Sequence, residues 1–399
     1  MVATLSSADF GGRRAGTPGG EAAAAFLKGE LARLGAAAVD SPPLVVSSAS
    51  LTGSPRLVVG GVALRHRVDF NEWPKLGRGG VAEGRLLVVD QPGPLPPLPA
   101  GGWVLLLRHP ALTRPLADLA SEAGARGFGA LLLEQPERPI GTKSVSGGAG
   151  ALPVLYLTAA SAEALGGRPG AQVRVELPLE VAQRTSRNVV GLVRRAEKPG
   201  APTFLLAAHY DHLGDDSPAA RYPGAFDNAS GVAVVLEAVR RYQALSAPGF
   251  DLLVAFTTGE ESGMTGSLEL AAHPPASIAA ALNVDGVGSQ YALRGLRMGQ
   301  TEPRSPFASL VASVLLAHGI EPYWRTGSDD SRAFLAAGIP TVGLGEEAAA
   351  PNPIHTPADR PELLNAQSLE RAAEVILDVF QAAGGLGPPP ASAQRPADS

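Results

Sequence analysis

The chain has 399 residues, 45% apolar and 18% charged, with a formal net charge of −5 at pH 7. That allows a sizeable core in one large domain with an insertion or in two domains, and it leaves no basic footprint for nucleic acid. No apolar run approaches the roughly 20 residues of a membrane span, and the absence of cysteine excludes disulfides and thiolate ligands.

The first residues, MVATLSSADFGGRRAG, lack the charged-then-apolar layout of a signal peptide. A cytoplasmic protein and the mature form of an exported one remain as alternatives. Residues 19–35, GGEAAAAFLKGELARLG, read as an amphipathic helix with Phe26, Leu27, Leu31 and Leu34 on one side and Gly35 as its stop. From about 51 to 180 the texture changes to short β-rich runs between Gly and Pro. GRLLVVD, GWVLLLRH, GALLLE and LPVLYLT read as strands and RPLADLASEAGARG as a helix among them, a small α/β module of its own. After SRNVV the rhythm becomes strand, loop, helix. TFLLAAHYD, DLLVAFTTGEE, AALNVDGVG and IPTVGLG are strands, while SGVAVVLEAVRRYQAL, SPFASLVASVLLAHG, SRAFLAAG and SLERAAEVILDVFQAA are helices. Continuous apolar strands alternating with helices predict an α/β fold around a mostly parallel sheet covered on both faces. Residues 386–399 lie in a Pro-rich polar tail whose composition predicts disorder.

In such a sheet, ligands sit beyond the carboxyl ends of the strands. The apolar run FLLAAHYDH ends in His209, Asp211 and His212, costly groups to bury without partners. Glu260 and Glu261 end the next strand and Asp285 the one after. Asp227 stands in the loop that opens the SGVAVV helix, and His355 in the loop NPIHTPAD. Singly, each has an ordinary reading, such as a satisfied polar pair, a solvated helix start or a helix cap. Together they set at least four acids and a His on one rim, where uncompensated carboxylates would repel and hold protons. A dinuclear metal centre resolves that repulsion. With no cysteine, the ligands must be His, Asp and Glu, which suits zinc, with manganese or cobalt as substitutes. His66, His109, His273 and His318 carry no acidic companion at a useful spacing and read as structural.

The pieces AAHYDHLG at 207–214, PGAFDNASGVA at 223–233, TGEESGMTGS at 258–267, NVDGVG at 283–288, GSDDSRAFLAAGIP at 327–340 and IHTPAD at 354–359 resemble the M28 family of zinc aminopeptidases and carboxypeptidases. They stand in family order with family-like gaps across roughly residues 186–380. The resemblance implies a zinc exopeptidase-like fold, with residues 1–50 as the start of the peptidase domain and 181–385 as its catalytic part. The module at 51–180 resembles the protease-associated domain that such enzymes carry as an insertion.

The resemblance also implies roles. His209 and Asp285 would bind one zinc, Glu261 and His355 the other, and Asp227 would bridge them. Asp211 would orient the imidazole of His209. Glu260 would be the general base, taking a proton from a metal-bridging water and passing it to the leaving amine. The Asp227–Asn228 peptide would be cis. His212 would pack or hydrogen-bond near the site, Asp329 would be a positioning residue, and Thr356 and Asp359 would brace the His355 loop. The sequence departs from the family at Ile354, where many relatives have an oxyanion-stabilising Tyr. Either a zinc takes that part alone, or another donor such as Tyr210 or Tyr222 replaces it. A second departure is Phe226, which could line the substrate pocket or pack.

The expected activity is removal of N-terminal residues from peptide substrates. The alternatives are a carboxypeptidase on the same scaffold or a non-catalytic binding relative. In the flanking loops Asp215, Asp216, Asp329, Asp330, Glu346 and Glu347 outnumber Arg221, Arg325 and Arg332. That balance favours an ammonium over a carboxylate as the recognised terminus.

Overall fold

The computed structural model describes residues 1–383 apart from 136–139, 194–195, 197–199, 217–219, 246–248, 290–296, 299–304, 325–327 and 347–351. The tail at 386–399 and the loop residues Arg325 and Glu347 therefore lie outside the described residues. The chain forms two compact units, one of Met1–Val46 with Thr185–Ser399 and the other of Ser47–Arg184.

The first unit is built on a six-stranded sheet in the order Ala37–Val39, Val189–Val193, Asp251–Thr257, Thr203–His209, Ile278–Val284, Thr341–Leu344. The last four are parallel neighbours. Val189–Val193 pairs antiparallel with both of its neighbours. All seven residues of Thr203–His209 are buried, which is why the strand reads as an unbroken apolar run. Its side chains nevertheless divide with period two. Phe204, Leu206 and Ala208 share a core with Leu27, Leu31, Val235, Val239, Val311, Ile376 and Phe380, from the helices Pro18–Arg33, Ser230–Gln243, Pro306–Ala317 and Ala366–Ala383. Leu205 and Ala207 share another with Leu270, Ala333 and Phe334, from Thr265–Ala272 and Ser331–Ala336. The fold is thus the α/β arrangement expected from the sequence. Helices cover both faces of the sheet, and the carboxyl ends of the parallel strands are left for a site. No described helix is long and apolar enough to cross a membrane.

The second unit holds an eight-stranded sheet. Its centre, Gly80–Val89, Trp103–Leu107, Ala130–Glu134 and Val154–Leu157, is parallel. The helix Leu116–Ala125 supplies Leu119 to the core on one face, and Ala159–Gly166 supplies Ala162 and Leu165 to the core on the other.

Candidate metal centre

Strand register sets the height of the site. Ala207 pairs with Asn283 in parallel, so His209 and Asp285, each two residues further on, leave the sheet at one level and on one side. His209 pairs with Thr257, and the chain then turns through Gly259, at φ +70°, to deliver Glu260 and Glu261. Asp227 arrives from the loop before the helix Ser230–Gln243, and its peptide bond to Asn228 is cis, as the resemblance implies.

The structure brings all of the expected ligands together. His209 Nε2 lies 3.2 Å from Asp227 Oδ1 and 3.3 Å from Asp285 Oδ1. His355 Nε2 lies 3.1 Å from Asp227 Oδ2 and 3.0 Å from Glu261 Oε2. Asp227 thus turns one oxygen to each group. Donor atoms of His209, Asp227 and Asp285 all fall within 4.8 Å of one another, and so do those of His212, Asp227 and Glu261. Ligands about 2.0–2.1 Å from a tetrahedral zinc stand about 3.3 Å apart. The donor set and its spacing therefore fit divalent zinc.

His209 Nδ1 lies 3.1 Å from the Asp211 carbonyl. A carbonyl only accepts, so Nδ1 carries a proton and Nε2 is the ring nitrogen that faces the acids, where a cation would take the place of its proton. Here the structure differs from the expectation that the Asp211 carboxylate orients His209. Its Oδ1 is 3.9 Å from Nδ1, and it accepts instead from the backbone N–H of Glu260 at 3.2 Å. His212 is fully buried with Nδ1 2.9 Å from Glu261 Oε1, a hydrogen-bonding place beside the site.

Other loop residues hold the acids in position. The Asp359 carboxylate accepts from the backbone N–H groups of Phe226 at 2.7 Å and Asp227 at 3.1 Å. It therefore braces the Asp227 loop, whereas Thr356 turns its own loop by donating to the Pro353 carbonyl at 2.7 Å. Asn228 donates to the Val284 carbonyl at 2.8 Å and accepts from Gly286 N–H at 3.2 Å. Gly224 stands at φ +57°, where a Cβ would come within 2.5 Å of the His212 ring. His355 is itself left-handed at φ +65°, a conformation that costs a non-glycine residue about 1–2 kcal/mol.

The adjacent glutamates sit in opposite electrostatic settings. Desolvation, with Asp285 and Glu261 nearby, pushes the Glu260 carboxyl well above its ordinary range against the pull of His209. Burial also acts to raise Glu261, but His355 and His212 outweigh it and hold that carboxyl down at about 2. Burial lifts Asp211 to about 7. The Glu260 carboxylate accepts no hydrogen bond from the described residues.

Several sequence readings change. Asp329 accepts from Asn283 at 3.3 Å and from Ser331 N–H at 2.9 Å. Asp330, fully buried, accepts from Thr257 at 2.5 Å and from Ser267. Glu346 accepts from the Gly288 and Ser289 amides, and Asp215 from Tyr222 N–H, with Arg221 3.5 Å away. The excess of acids in the loops is largely spent on internal structure. Tyr210 donates its hydroxyl to the Arg187 carbonyl at 2.9 Å, so it does not replace the missing oxyanion donor. Phe226 is buried against Gly286, in a packing role. His66, His273 and His318 do have acidic companions, in Glu72, Glu269 and Asp378. The buried Arg13 is missed by sequence reasoning, and nothing in its local sequence marks it; Asp330 is read there only as a flanking acid and Asn228 only as the partner in the cis peptide.

Residues 188–380 match the family described as Peptidase family M28. The chain is similar to aminopeptidase YwaD of Bacillus subtilis, 24% identical over 291 residues that cover 69% of this chain and 61% of that protein. A probable zinc metalloprotease of Leptosphaeria maculans is 33% identical over 129 residues, 31% of this chain and 28% of that protein. The chain therefore spans less than two thirds of the length of these curated relatives. Among solved structures, the aminopeptidase from Aneurinibacillus sp. strain AM-1 shares the fold, with a TM-score of 0.74 at 21% identity over 100% of this chain and 95% of that one.

Proposed function

We propose that the chain, whose residues 188–380 match peptidase family M28, is a dinuclear zinc exopeptidase that removes N-terminal residues from peptides. The observation that carries this reading is the Asp227 carboxylate, with one oxygen 3.2 Å from His209 and the other 3.1 Å from His355. That is the arrangement of a carboxylate shared between two ligand groups. Two divalent cations, one held by His209, Asp227 and Asp285 and the other by Glu261, Asp227 and His355, would supply Lewis acidity to the scissile carbonyl and lower the pKa of water.

The chain's own residues then divide the work. Glu260, with its proton affinity raised, takes the proton of the attacking water and delivers it to the leaving amine. Glu261 stays ionised and is oriented by His212. Asp211 fixes the backbone from which Glu260 projects. The preference for the amino end rests on similarity to aminopeptidases, since the acids counted in the flanking loops are mostly engaged elsewhere.

One peptide in two blocked forms tests this. Acetylating its amine is expected to abolish cleavage, and amidating its carboxyl end to leave cleavage nearly intact. The reverse pattern assigns a carboxypeptidase. Hydrolysis that persists in a chelator, with zinc shown to be gone, rejects the metallopeptidase altogether.

A further inference from the structure

Arg13 is completely buried, a rare state for an arginine. Its Nε donates to the Tyr210 carbonyl at 2.9 Å, Nη1 to the carbonyls of Leu5 at 2.7 Å and Pro223 at 2.8 Å, and Nη2 to that of Gly224 at 2.8 Å. Tyr210 lies between His209 and Asp211, and Gly224 is three residues before Asp227. One planar fork therefore grips both the turn that presents one group of ligands and the turn that presents the shared carboxylate.

The backbone around Arg13 completes the clamp. Gly11, Gly12 and Arg13 accept from the N–H groups of Asp215, Gly214 and His212 at 3.1, 2.8 and 3.2 Å. All three are left-handed, and a Cβ on Gly12 would lie 2.7 Å from Gly214 Cα, so the two segments approach as closely as glycines allow. Burial lowers Arg13 to about 10, while the charges of Asp359, Asp227, Asp211 and Glu261 act to raise it. It therefore stays protonated at neutral pH. A buried cation whose hydrogen-bond partners are carbonyls leaves its charge to be balanced through space by those acids.

We propose that Arg13 is a positioning residue of the metal centre, whose guanidinium locks the His209 and Asp227 turns at the spacing at which both serve one cation. This rests on the reading of the site as a zinc centre. A merely structural arginine would contribute to folding and leave zinc affinity unchanged in whatever protein remained folded.

The experiment compares the full chain with R13K and R13M, measuring zinc affinity by competition with a chelating dye well below the melting temperature. Circular dichroism establishes that each variant is folded. R13M is expected to bind zinc about 10–100-fold more weakly, the usual effect of losing a partner that orients ligands. R13K, with a point charge in place of the fork, is expected to fall between. Excess zinc should restore much of the lost turnover. Folded R13M or R13K binding zinc with unchanged affinity overturns the proposal, and so does a chain that folds with neither substitution. A wild-type chain that binds no zinc rejects the metal-centre reading itself.

Discussion

Glu260 and Glu261 share a peptide bond, yet their carboxyl groups are pushed in opposite directions. Two carboxyls whose environments separate their proton affinities are suited to the proposed division of labour between base and ligand. Glu260→Gln preserves size and removes the proton acceptor. Turnover is expected to fall by about 10²–10⁴-fold while zinc content, read by metal analysis, stays at the wild-type level. Near-normal turnover would reverse the assignment within the pair. Glu261→Ala and His355→Ala are expected to lose zinc instead, since each removes a donor that lies 3.0 Å from the other.

At the scale of elements, the turn before Asp227 is held by close approach rather than by apolar area. Gly224 combines a left-handed φ with a would-be Cβ 2.5 Å from His212. Gly224→Ala is expected to cost at least about 1–2 kcal/mol in thermal melts and to lower zinc content by displacing His212 and Asp227. The helix Ser230–Gln243 that follows carries a more ordinary device. Glu237, paired with Arg240 at 2.7 Å and Arg241 at 2.7 Å, is held at about 2 against an ordinary value of 4.5. A depressed carboxylate stabilises the folded state above about pH 4.5 and loses that contribution as pH falls towards 2. Because Glu237 is partly exposed and Arg240 largely so, Glu237→Gln is expected to cost less than about 1 kcal/mol at pH 6, with the difference vanishing near pH 2. A difference that grows with acid would contradict the assignment.

For the whole molecule, the proposed zinc centre would link folding to metal. Its donors, His209, Asp227, Glu261, Asp285 and His355, come from five regions of the first unit, so only the folded chain offers them together. Zinc binding to that state alone adds stability by mass action, about 2.7 kcal/mol at a free concentration 100 times the dissociation constant. Stripping zinc with a chelator is expected to lower the melting temperature, and adding it back to restore the original curve. A melt indifferent to measured zinc removal would place the metal outside the stabilised state.

Much of this arrangement is legible in the sequence. Apolar runs of strand length alternating with helical periodicity specify a parallel sheet covered on both faces, because only strands buried on both sides can be apolar throughout. Chemistry-bearing residues at the ends of those runs, His209, Asp211, Glu260, Glu261 and Asp285, share one rim because parallel strands end on one side. The partners of those residues are not legible. Arg13 reaches the Tyr210 carbonyl across 197 residues of chain, and Asp359 reaches the Phe226 amide across 133. Asp330 and Glu346 look like solvent-facing loop acids until their hydroxyl and amide donors are seen. Local pattern records which face of an element is buried. Which donor meets which buried carboxylate depends on the approach of segments distant in the chain, and tertiary packing alone decides that.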